Sequence, residues 1–539
     1  MWPCHIEIRG RRLAVIVARG FGCNVRGRPT SAMRGALLVC GTHSDAGKSV
    51  VTAGICRWLH RAGVRVAPFK AQNMALNSVV TADGSEVGRA QAVQAAAAGV
   101  APEAAMNPIL IKPSGERHSQ IVVMGRPYAD VGARSYQQLK HELRPVVADA
   151  LADLRERFDV VVCEGAGSPA EINLRDDDLT NLGLARAAGL PVLVVADIDR
   201  GGVFASLFGT LALLDAADQA HVAGFVVNKF RGDGSILAPG IAQLESLTGR
   251  PTLGVLPHVE DLWMDVEDSL ALEAGRPEAP AGADTLDVAV VRLRWMSNFT
   301  DLDALAAEPG VRVRFTRSAA DVERTDLLVL PGTKATVEDL ARLRAAGLDR
   351  AIEARAAAGA PILGICGGYQ LLGERIVDGV ESRRGAVAGL GVLPVITTFE
   401  RDKLLRRRAG RCAWLGTAAS GYEIRHGRVE RRGGEQLLTG DGGEPDGCRL
   451  GDVLGTSWHG ALEHDAFRRA LLARVAAARG RRFVPGTGSF AAAREARLDV
   501  LGDLVADHVD TAGLAALIDG GVPASLPTIR TEVRPCCAS

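Results

Sequence analysis

The feature that most constrains the fold is an alternation of short apolar runs with longer amphipathic segments, which begins at Ala36. The apolar runs have the length and the Val, Ile and Leu content of buried strands, and this alternation is typical of βα units in a parallel sheet. We therefore expect a doubly wound α/β domain over residues 35–262. Its predicted strands are ALLVCG (36–41), VRVAPF (64–69), FDVVVCEG (158–165), PVLVVAD (191–197), VAGFVVN (222–228) and TLGVLP (252–257).

A second alternating series predicts a second doubly wound α/β domain over residues 286–520, with a final helix-like run (FAAAREARLDVLGDLVADHV) packed back on it. A linker rich in Ala, Gly, Pro and acidic residues separates the two domains at 263–285. We expect residues 1–34 to be a disordered extension or a stretch that precedes the true start, and 521–539 to be a frayed tail. The predicted strands of the second domain are LDVAVVRL (286–293), VRVRF (311–315), TDLLVLPG (325–332) and APILGIC (360–366).

Composition narrows the class of partners. Lys plus Arg and Asp plus Glu each number 63, so the formal net charge is zero, which argues against nucleic-acid or anionic-membrane binding. The ten cysteines form no C-x-x-C pair, as expected in a reducing cytosol, and neither a signal peptide nor a run of apolar residues long enough to span a membrane is evident. We expect a cytoplasmic protein with small-molecule partners, and the sequence leaves homo-oligomerisation open.

The stretch CGTHSDAGKSV (40–50) ends like a phosphate-binding loop. Gly47, Lys48 and Ser49 follow a predicted strand and open a predicted helix, where backbone N–H groups, a lysine and a hydroxyl bind phosphate and magnesium. The glycine that usually opens such a loop stands five residues before Gly47. In this chain that position is Thr42, and the nearest glycine on that side is Gly41. The alternative interpretation is a turn that caps the helix, with Lys48 exposed to solvent.

The displaced spelling GTxxxxGK[ST] resembles the phosphate loop of dethiobiotin synthetase and of related amidotransferases, which phosphorylate a carboxylate. Taken together with six further blocks, the loop resembles the cobyric acid synthase family, glutamine-dependent amidases of corrinoid biosynthesis, over roughly residues 35–515. The blocks are RVAPFKAQNMALNS (65–78), GSEVGRAQAVQA (84–95), MNPILIKP (106–113), EGAGSPAEINL (164–174), ADIDRGGVFA (196–205) and NKFRGD (228–233).

Three oxygen donors are candidates for a magnesium site. Ser49, Glu86 and Glu164 offer the hydroxyl and carboxylate oxygens that Mg²⁺ prefers, and Glu164 follows a strand, where doubly wound sheets collect ligands. The resemblance implies that Glu86 and Glu164 are both ligands. Alternatively, Glu164 is an exposed acid at a strand end and Glu86 a carboxylate at a helix N-terminus.

Other residues near the loop are assigned to phosphate, nucleotide or substrate. Lys70 is expected to neutralise the transferred phosphoryl group, Asp45 to orient a substrate or water, and Asn228, by resemblance, to recognise the nucleotide base. The alternatives are that Lys70 is a surface charge and that Asp45 and Asn228 only form turns. Corrinoid contacts are expected at Gln72, Asn73, Asn77, Asp197 and Arg200. The acidic run 176–178 is interpreted as a solvated loop, because consecutive acids point in different directions.

In the second domain, GAPILGICGGYQLLG (359–373) places Cys366 between a strand and a helix among glycines, as in a nucleophile elbow. His459 in GTSWHGALEHD (455–465) is the candidate base. The two blocks resemble a class I glutamine amidotransferase domain with a flavodoxin-like fold, and backbone N–H groups of Gly332 and Gly367 are candidates for the oxyanion hole. A core cysteine and an ordinary polar histidine are the alternatives.

One departure concerns the third member of the catalytic group. Many class I glutaminases have a glutamate two residues after the histidine, where this chain has Ala461. Glu463 is a candidate to orient the imidazole from one turn further along. His459, Glu463 and His464 do not have the H-E-x-x-H or H-x-x-E-H spacing, so zinc is rejected.

The two predicted centres suggest a single reaction. ATP with Mg²⁺ would convert a carboxylate to an acyl phosphate, and glutamine would supply the ammonia that attacks it. By resemblance, the acceptor is adenosylcobyrinic acid a,c-diamide at its b, d, e and g carboxylates. The alternatives are a cobyrinic or hydrogenobyrinic acid a,c-diamide synthase, a partition-type ATPase switch, and a glutaminase with an inactive nucleotide domain.

Overall fold

The computed structural model describes residues 33–115, 118–259 and 285–529 of the 539-residue chain. Apart from Met33, Arg34 and Thr285, the predicted extension (1–34) and linker (263–285) lie outside the described residues, as does 530–539 of the predicted tail. Within the described ranges, no helix is both long enough and apolar enough to cross a lipid bilayer.

A six-stranded parallel sheet forms the centre of the first half. Its order is β12-β11-β10-β1-β9-β2, and these are the six strands predicted from the sequence. β3, β6, β7 and β8 form a separate sheet, and β4 pairs with β5. In chain order the strands are β1 (Gly35–Gly41), β2 (Val66–Phe69), β3 (Gln72–Met74), β4 (Ser78–Val80), β5 (Glu86–Gly88), β6 (Ile109–Pro113), β7 (His118–Val123), β8 (Arg126–Gly132), β9 (Val160–Glu164), β10 (Val192–Asp197), β11 (Val222–Phe230) and β12 (Thr252–Pro257). The helices are α1 (Lys48–Arg61), α2 (Arg89–Ala97), α3 (Ala133–Arg157), α4 (Leu182–Ala188), α5 (Val203–Ala212), α6 (Ala216–Gln219) and α7 (Gly234–Thr248).

Both faces of this sheet are covered, which explains why its strands are continuously apolar. Leu38 and Cys40 of β1 enter one core, whereas Leu37 and Val39 enter the core on the opposite face. Alternate residues of a strand point to opposite faces, so a strand between two helical layers has no position for an exposed polar residue.

The second half also forms an α/β domain, in which a six-stranded sheet runs β14-β13-β15-β16-β24-β23. Only the edge strand β23 is antiparallel to its neighbour. A further sheet contains β17, β18, β21, β22 and the long β19–β20 hairpin, which the sequence did not predict. The strands are β13 (Leu286–Val291), β14 (Val311–Thr316), β15 (Leu327–Leu330), β16 (Ile362–Ile365), β17 (Arg375–Asp378), β18 (Gly385–Ala388), β19 (Val395–Cys412), β20 (Thr417–Arg431), β21 (Leu438–Gly440), β22 (Pro445–Asp446), β23 (Cys448–Leu450) and β24 (Val453–Thr456). The helices are α8 (Asp303–Ala306), α9 (Ala319–Arg324), α10 (Thr336–Ala345), α11 (Leu348–Ala357), α12 (Gly367–Leu372) and α13 (Asp465–Ala478). The predicted class, two doubly wound α/β domains, is confirmed.

The last two helices correct one prediction. α14 (Phe490–His508) begins on the second domain, where Phe490 lies in the core, and its later turns and α15 (Thr511–Gly520) pack on the first domain. Leu501 and Val505 of α14 share a core with α1, and Arg57 on α1 pairs with Glu495 and Asp499 at 2.6 and 2.8 Å. The helix pattern reveals an apolar face, but it does not reveal which domain offers the matching surface.

Candidate active sites

The phosphate-binding loop joins β1 to α1, as the sequence predicted. Gly47 precedes the helix with φ of 102°, and a Cβ there would lie 1.9 Å from Asn228 Nδ2. A Cβ on Gly41 would lie 2.9 Å from Cγ of Lys48, so the displaced glycine leaves room for the lysine stem. The unusual spelling therefore still builds a close-packed loop at a helix N-terminus.

Four polar side chains meet at the mouth of the loop. Glu164 Oε1 accepts from Ser49 Oγ at 2.9 Å and from Lys70 Nζ at 3.0 Å. Lys48 Nζ donates to the carbonyls of His43 and Gly167 at 3.0 and 3.1 Å. Burial alone would raise the pKa of Glu164, but Lys70 and Lys48 outweigh burial and hold that pKa below its usual range. Glu164 is therefore an anion between two lysines.

Ser49 and Glu164 are suited to Mg²⁺. They offer one hydroxyl and one carboxylate, and magnesium often binds one or two carboxylates together with phosphate and water oxygens. Both carboxylate oxygens of Glu86, the third predicted ligand, are paired here, with Lys112 at 2.6 Å and Lys403 at 2.5 Å, and its role as a magnesium ligand stays a prediction. The second carboxylate oxygen of Glu164, Oε2, accepts a hydrogen bond from Gln94 Nε2.

The loop opens on a wide cleft with a volume of about 1530 Å³. Lys48, Ser49, Lys70 and Glu164 line it, as do Asp45 and Arg200 on its exposed rim. The guanidinium of Arg200 lies 3.8 Å from Asp45 and 3.7 Å from Asp197. The cleft lining also includes charged side chains that sequence reasoning did not single out, among them the basic Lys140, Arg144, Arg175 and Arg186 and the acidic Asp215 and Asp218.

Two further residues support the loop. Asn228 Nδ2 donates to the carbonyl of Ala46 at 3.1 Å, so the structure gives Asn228 a positioning contact, and its recognition of a nucleotide base stays a prediction. The backbone N–H of Thr42 donates to Val195 O at 2.9 Å in the sheet. This N–H is therefore not one of those that face phosphate, and a contact between Thr42 and the nucleotide stays a prediction.

The predicted corrinoid contacts separate into two groups. Gln72 and Asn73 line the cleft, where Gln72 accepts from the Tyr136 hydroxyl. Asp197 is buried, accepting from Lys229 Nζ at 2.7 Å. Asn77 is fully buried, its Oδ1 accepts from the backbone N–H of Phe299 at 3.2 Å, and its contact with a corrinoid stays a prediction.

The second centre is built around Cys366, which lies between β16 and α12. Its backbone has φ of 50° and ψ of −106°, a strained conformation for a residue with a side chain, as in a nucleophile elbow. The side chain lies at a cavity of about 40 Å³, and the residue is 7% exposed. The predicted elbow geometry is present.

His459 faces Cys366 and is held by an aspartate that the sequence did not indicate. Nδ1 of His459 lies 2.7 Å from Asp301 Oδ2, and Asp301 Oδ1 accepts from the N–H of Gly460 at 2.7 Å. Burial would lower the pKa of His459, but Asp301 and Cys366 outweigh it and raise that pKa to about 10. The three side chains have the arrangement of a Cys-His-Asp triad. With this raised pKa, the imidazole of His459 is protonated at neutral pH.

Glu463 does not orient the imidazole, which corrects that candidate assignment. Its carboxylate accepts from Arg89 at 2.6 Å and from Arg494 at 3.0 Å, and these arginines lower its pKa to about 2 against the opposing effect of burial. Asp301 lies 158 positions before His459 in the chain. No local spacing rule links two residues so far apart, so only the fold reveals the triad.

The predicted oxyanion donors lie at this centre. A Cβ on Gly332 would lie 2.8 Å from Cε1 of His459, and one on Gly367 would lie 2.7 Å from the backbone nitrogen of Thr333. Gly367 opens α12, where backbone N–H groups have no partner within the helix. Assignment of these N–H groups to the oxyanion stays a prediction.

The two domains meet beside this pocket through a buried cluster of charges. Lys112 of the first domain and Lys403 of the second both line the Cys366 pocket and both contact Glu86. Burial lowers the pKa of Lys403 to about 8, although Glu86 opposes this effect. The glutaminase pocket thus includes a wall from the nucleotide domain.

Comparison with known protein families divides the chain into the same two domains. Residues 37–271 match the model of the CobQ/CobB/MinD/ParA nucleotide binding domain, and residues 287–467 match that of the CobB/CobQ-like glutamine amidotransferase domain. The chain is 60% identical over 519 residues to the cobyric acid synthase of Frankia casuarinae, an alignment covering 92% of this chain and 99% of the relative. The chain belongs to the cobyric acid synthase family. A second family member, from Streptomyces coelicolor, is 59% identical over 505 residues, with the same coverage of both chains.

Among solved structures, a glutamine amidotransferase is similar to 35% of the chain, with coverage of 98% of that structure, 22% identity and a TM-score of 0.29. Membership of the cobyric acid synthase family rests on the relatives that match along nearly the whole chain. It makes the protein a glutamine-dependent amide ligase with one domain for the nucleotide and one for glutamine.

Proposed function

We propose that this member of the cobyric acid synthase family uses ATP and glutamine to amidate the b, d, e and g carboxylates of adenosylcobyrinic acid a,c-diamide, giving adenosylcobyric acid. The observation that carries the proposal is the presence in one chain of the loop around Lys48 and the Cys366–His459–Asp301 triad. The first centre is suited to activating an acid, and the second to releasing the nitrogen that replaces its oxygen.

In the first centre, a substrate carboxylate oxygen attacks the γ-phosphorus of ATP, and ADP leaves. The loop N–H groups and Lys48 bind the phosphates, and Lys70 offsets the charge of the transferred group. Ser49 and Glu164 would hold Mg²⁺, which supplies further charge neutralisation when bound. The product is an acyl phosphate, from which ammonia displaces inorganic phosphate.

In the second centre, the Cys366 thiolate attacks the side-chain carbonyl of glutamine. The N–H groups of Gly332 and Gly367 stabilise the oxyanion, and protonated His459 gives its proton to the departing ammonia. A thioester remains, which water cleaves to glutamate with His459 as base. Asp301 holds the imidazole in position through both steps.

The size of the first cleft supports a large acceptor. Its volume of about 1530 Å³ exceeds the roughly 300–1,000 Å³ of ordinary small-ligand sites, which leaves room for a nucleotide beside a corrin-sized ring. Lys140 and Arg144 in the cleft lining suit a substrate that carries several acids. The relatives from Frankia and Streptomyces are named cobyric acid synthases, which favours this assignment over the sister a,c-diamide synthase.

Two finer assignments belong to the same proposal. We assign residues 35–262 to the synthetase domain and 286–489 to the amidotransferase domain, and the helices at 490–520 supply most of their buried apolar side chains to the core of the first domain. A cytoplasmic location is supported by six described cysteines that are buried and free.

The test is a product count. Purified protein is incubated with ATP, Mg²⁺, glutamine and either adenosylcobyrinic acid a,c-diamide or cobyrinic acid, and products are separated by mass. We expect four successive amidations of the diamide and none at the a and c positions of cobyrinic acid. Formation of the a,c-diamide alone would overturn the proposal in favour of the sister enzyme.

A further inference from the structure

Two asparagines connect the domains beside the catalytic triad, and each accepts a hydrogen bond from the backbone of the other domain. Oδ1 of Asn77, in the first domain, accepts from the backbone N–H of Phe299 at 3.2 Å. In return, Oδ1 of Asn298, in the second domain, accepts from the backbone N–H of Ser78 at 2.9 Å. We call these two reciprocal hydrogen bonds the asparagine clamp. Asn77 and Asn298 are 0% and 3% exposed, so both bonds lie in the protein interior, where hydrogen bonds are stronger than in water.

The clamp ends at the turn that carries Asp301. Asn298 has φ of 51° and ψ of 37°, a left-handed conformation that asparagine adopts more readily than most residues. A 3₁₀ helix (Phe299–Leu302) follows directly, and the N–H of Asp301 donates to Asn298 O at 3.0 Å. The carboxylate of Asp301 in turn binds Nδ1 of His459. Movement of this turn would therefore move the acid of the triad away from the imidazole.

The imidazole is supported on a second side by Tyr422. The rings of Tyr422 and His459 stack with their centroids 5.6 Å apart, and their backbones exchange hydrogen bonds of 2.9 and 2.8 Å. The Tyr422 hydroxyl accepts from Asn298 Nδ2 at 3.5 Å. Three valines of the first domain share a buried apolar cluster with Tyr422, namely Val79, Val80 and Val87. Contacts from the first domain thus reach both groups that hold the imidazole.

We propose that Asn77 is a positioning residue of the glutaminase triad and holds Asp301 against His459 through the turn at 298–302. The inference rests on the triad of the proposed function and goes beyond it, because it places a determinant of glutamine hydrolysis in the nucleotide domain. Asn77 directly precedes β4, and its carbonyl accepts from the N–H of Arg89, the first residue of α2, at 3.0 Å. Docking of this segment on the second domain completes the triad, so rapid glutamine hydrolysis requires the two domains to be in contact.

The experiment measures the pH dependence of basal glutamine hydrolysis by the full-length enzyme and its variants. Asn77→Ala removes the acceptor of the Phe299 N–H, so Asp301 should hold the imidazole less closely. Burial would lower the pKa of His459, but Asp301 and Cys366 raise it to about 10, and a weaker contact with Asp301 lowers it again. The protonated imidazole is then lost at lower pH. We expect the alkaline limb, the fall in rate at high pH, to move down by about 1 pH unit, and kcat to fall by about tenfold with little change in KM for glutamine.

A double-mutant cycle shows whether Asn77 acts through Asp301. Asp301→Asn alone should move the alkaline limb further than Asn77→Ala does. In the Asp301→Asn background, Asn77→Ala should cause no further shift, because the contact that it supports is already lost. Additive shifts in the double variant would overturn the inference, since Asn77 would then act on His459 by another route.

A second variant tests the other half of the clamp. Asn298→Gly keeps the left-handed backbone but removes the amide that binds Ser78 and Tyr422, so the alkaline limb should again move down. This variant decides the question if Asn77→Ala does not fold. An alkaline limb at the wild-type position in Asn298→Gly would contradict the role of the clamp.

Asn107→Ala is the matched control. Asn107 is 1% exposed, and its Oδ1 accepts from the backbone N–H of Gly88 at 3.0 Å within the first domain. The substitution removes the same kind of buried hydrogen bond without affecting one that joins the domains, so the alkaline limb should keep its wild-type position. An equal shift in Asn107→Ala would overturn the inference, because a general loss of stability would then explain both shifts.

The outcomes separate this inference from the proposed function. If Asp301→Asn leaves the alkaline limb in place, the triad fails and the inference fails with it. If Asp301→Asn moves the limb and Asn77→Ala does not, the triad stands and the inference alone is overturned. Loss of ammonium-dependent amidation in Asn77→Ala, with glutamine hydrolysis as in wild type, would assign Asn77 to the acceptor site instead.

Discussion

The two centres differ in the size of the cavity that each one adjoins. The loop around Lys48 opens on a cleft of about 1530 Å³ with exposed Asp45 and Arg200 at its rim, whereas Cys366 faces a cavity of about 40 Å³. All three triad residues are at most 7% exposed. The contrast fits the chemistry, because a large acceptor and a nucleotide must enter and leave the cleft, whereas the enclosed pocket must keep its ammonia from bulk water.

The contrast also shows how each domain depends on the other. Lys112 from the nucleotide domain closes a wall of the glutaminase pocket, and α14, which follows the amidotransferase domain in the chain, completes the core of the nucleotide domain. The cleft at the phosphate loop (the open site) and the pocket at Cys366 (the closed site) are therefore parts of one folded unit. Substitutions in each site should separate their roles.

The largest effect should come from Cys366→Ser. Without the thiolate, glutamine-dependent amidation should fall by at least about 10³-fold, while amidation with ammonium chloride persists. Cys448→Ser is the matched control, because a hydroxyl can still donate to Gly433 O as the Cys448 thiol does at 3.5 Å. Loss of activity with both nitrogen sources in Cys366→Ser would contradict the division between the centres.

Lys48→Met should have the next largest effect, on the open site. Removing the positive charge from the loop should lower amidation with glutamine and with ammonium alike by about 10²–10³-fold, while basal glutamine hydrolysis remains. The control is Arg61→Met at the far end of the same helix, where the side chain forms an exposed pair with Asp503. Amidation by Lys48→Met at the wild-type rate would remove the phosphate loop from the mechanism.

Asp301→Asn tests the closed site more finely. Because Asp301 raises the pKa of His459 to about 10, its loss should lower that pKa. The protonated imidazole is the form lost as pH rises, so the alkaline limb of glutamine hydrolysis should move down by about 1 to 3 pH units, with a rate loss of about 10²-fold.

Glu463→Gln provides the contrast for Asp301→Asn. Glu463 contacts Arg89 and Arg494 instead of the imidazole. The alkaline limb of glutamine hydrolysis by Glu463→Gln should therefore keep its wild-type position. A shift of the limb in Glu463→Gln and none in Asp301→Asn would reverse the assignment of the third triad member.

The smallest effect on catalysis should come from Leu501→Ala. This substitution tests whether α14 forms part of the core of the nucleotide domain. Leu501 is 1% exposed in the core shared with α1, and its truncation should lower the free energy of unfolding of the nucleotide domain by about 2–5 kcal/mol. Urea unfolding measures this change. Val500→Ala, at an exposed neighbour that is 39% accessible, should cost much less, and equal losses would place α14 elsewhere.

Much of the fold could be predicted because its strands are buried on both faces. The six predicted strands of the first domain form its central sheet, and the four predicted strands of the second domain form β13 to β16. The β19–β20 hairpin was missed, because its residues alternate between buried and exposed and carry many arginines, so no continuous apolar run marks it.

The candidate sites were predictable where chemistry is local. Gly47, Lys48 and Ser49 act as consecutive residues at one helix start, and Cys366 depends on its flanking glycines. The two lysine partners of Glu86 were not predictable, because a carboxylate before a helix has the same local pattern whether its partner is a metal or two lysines.

The sequence by itself determined the two α/β domains, the phosphate loop and the nucleophile elbow, since each depends on residues within one strand, turn and helix. Only the tertiary structure decided that Asp301 supports His459 and that α14 completes the nucleotide domain. These depend on contacts between residues far apart in the chain, and the spacing of residues along a chain does not encode distances across it.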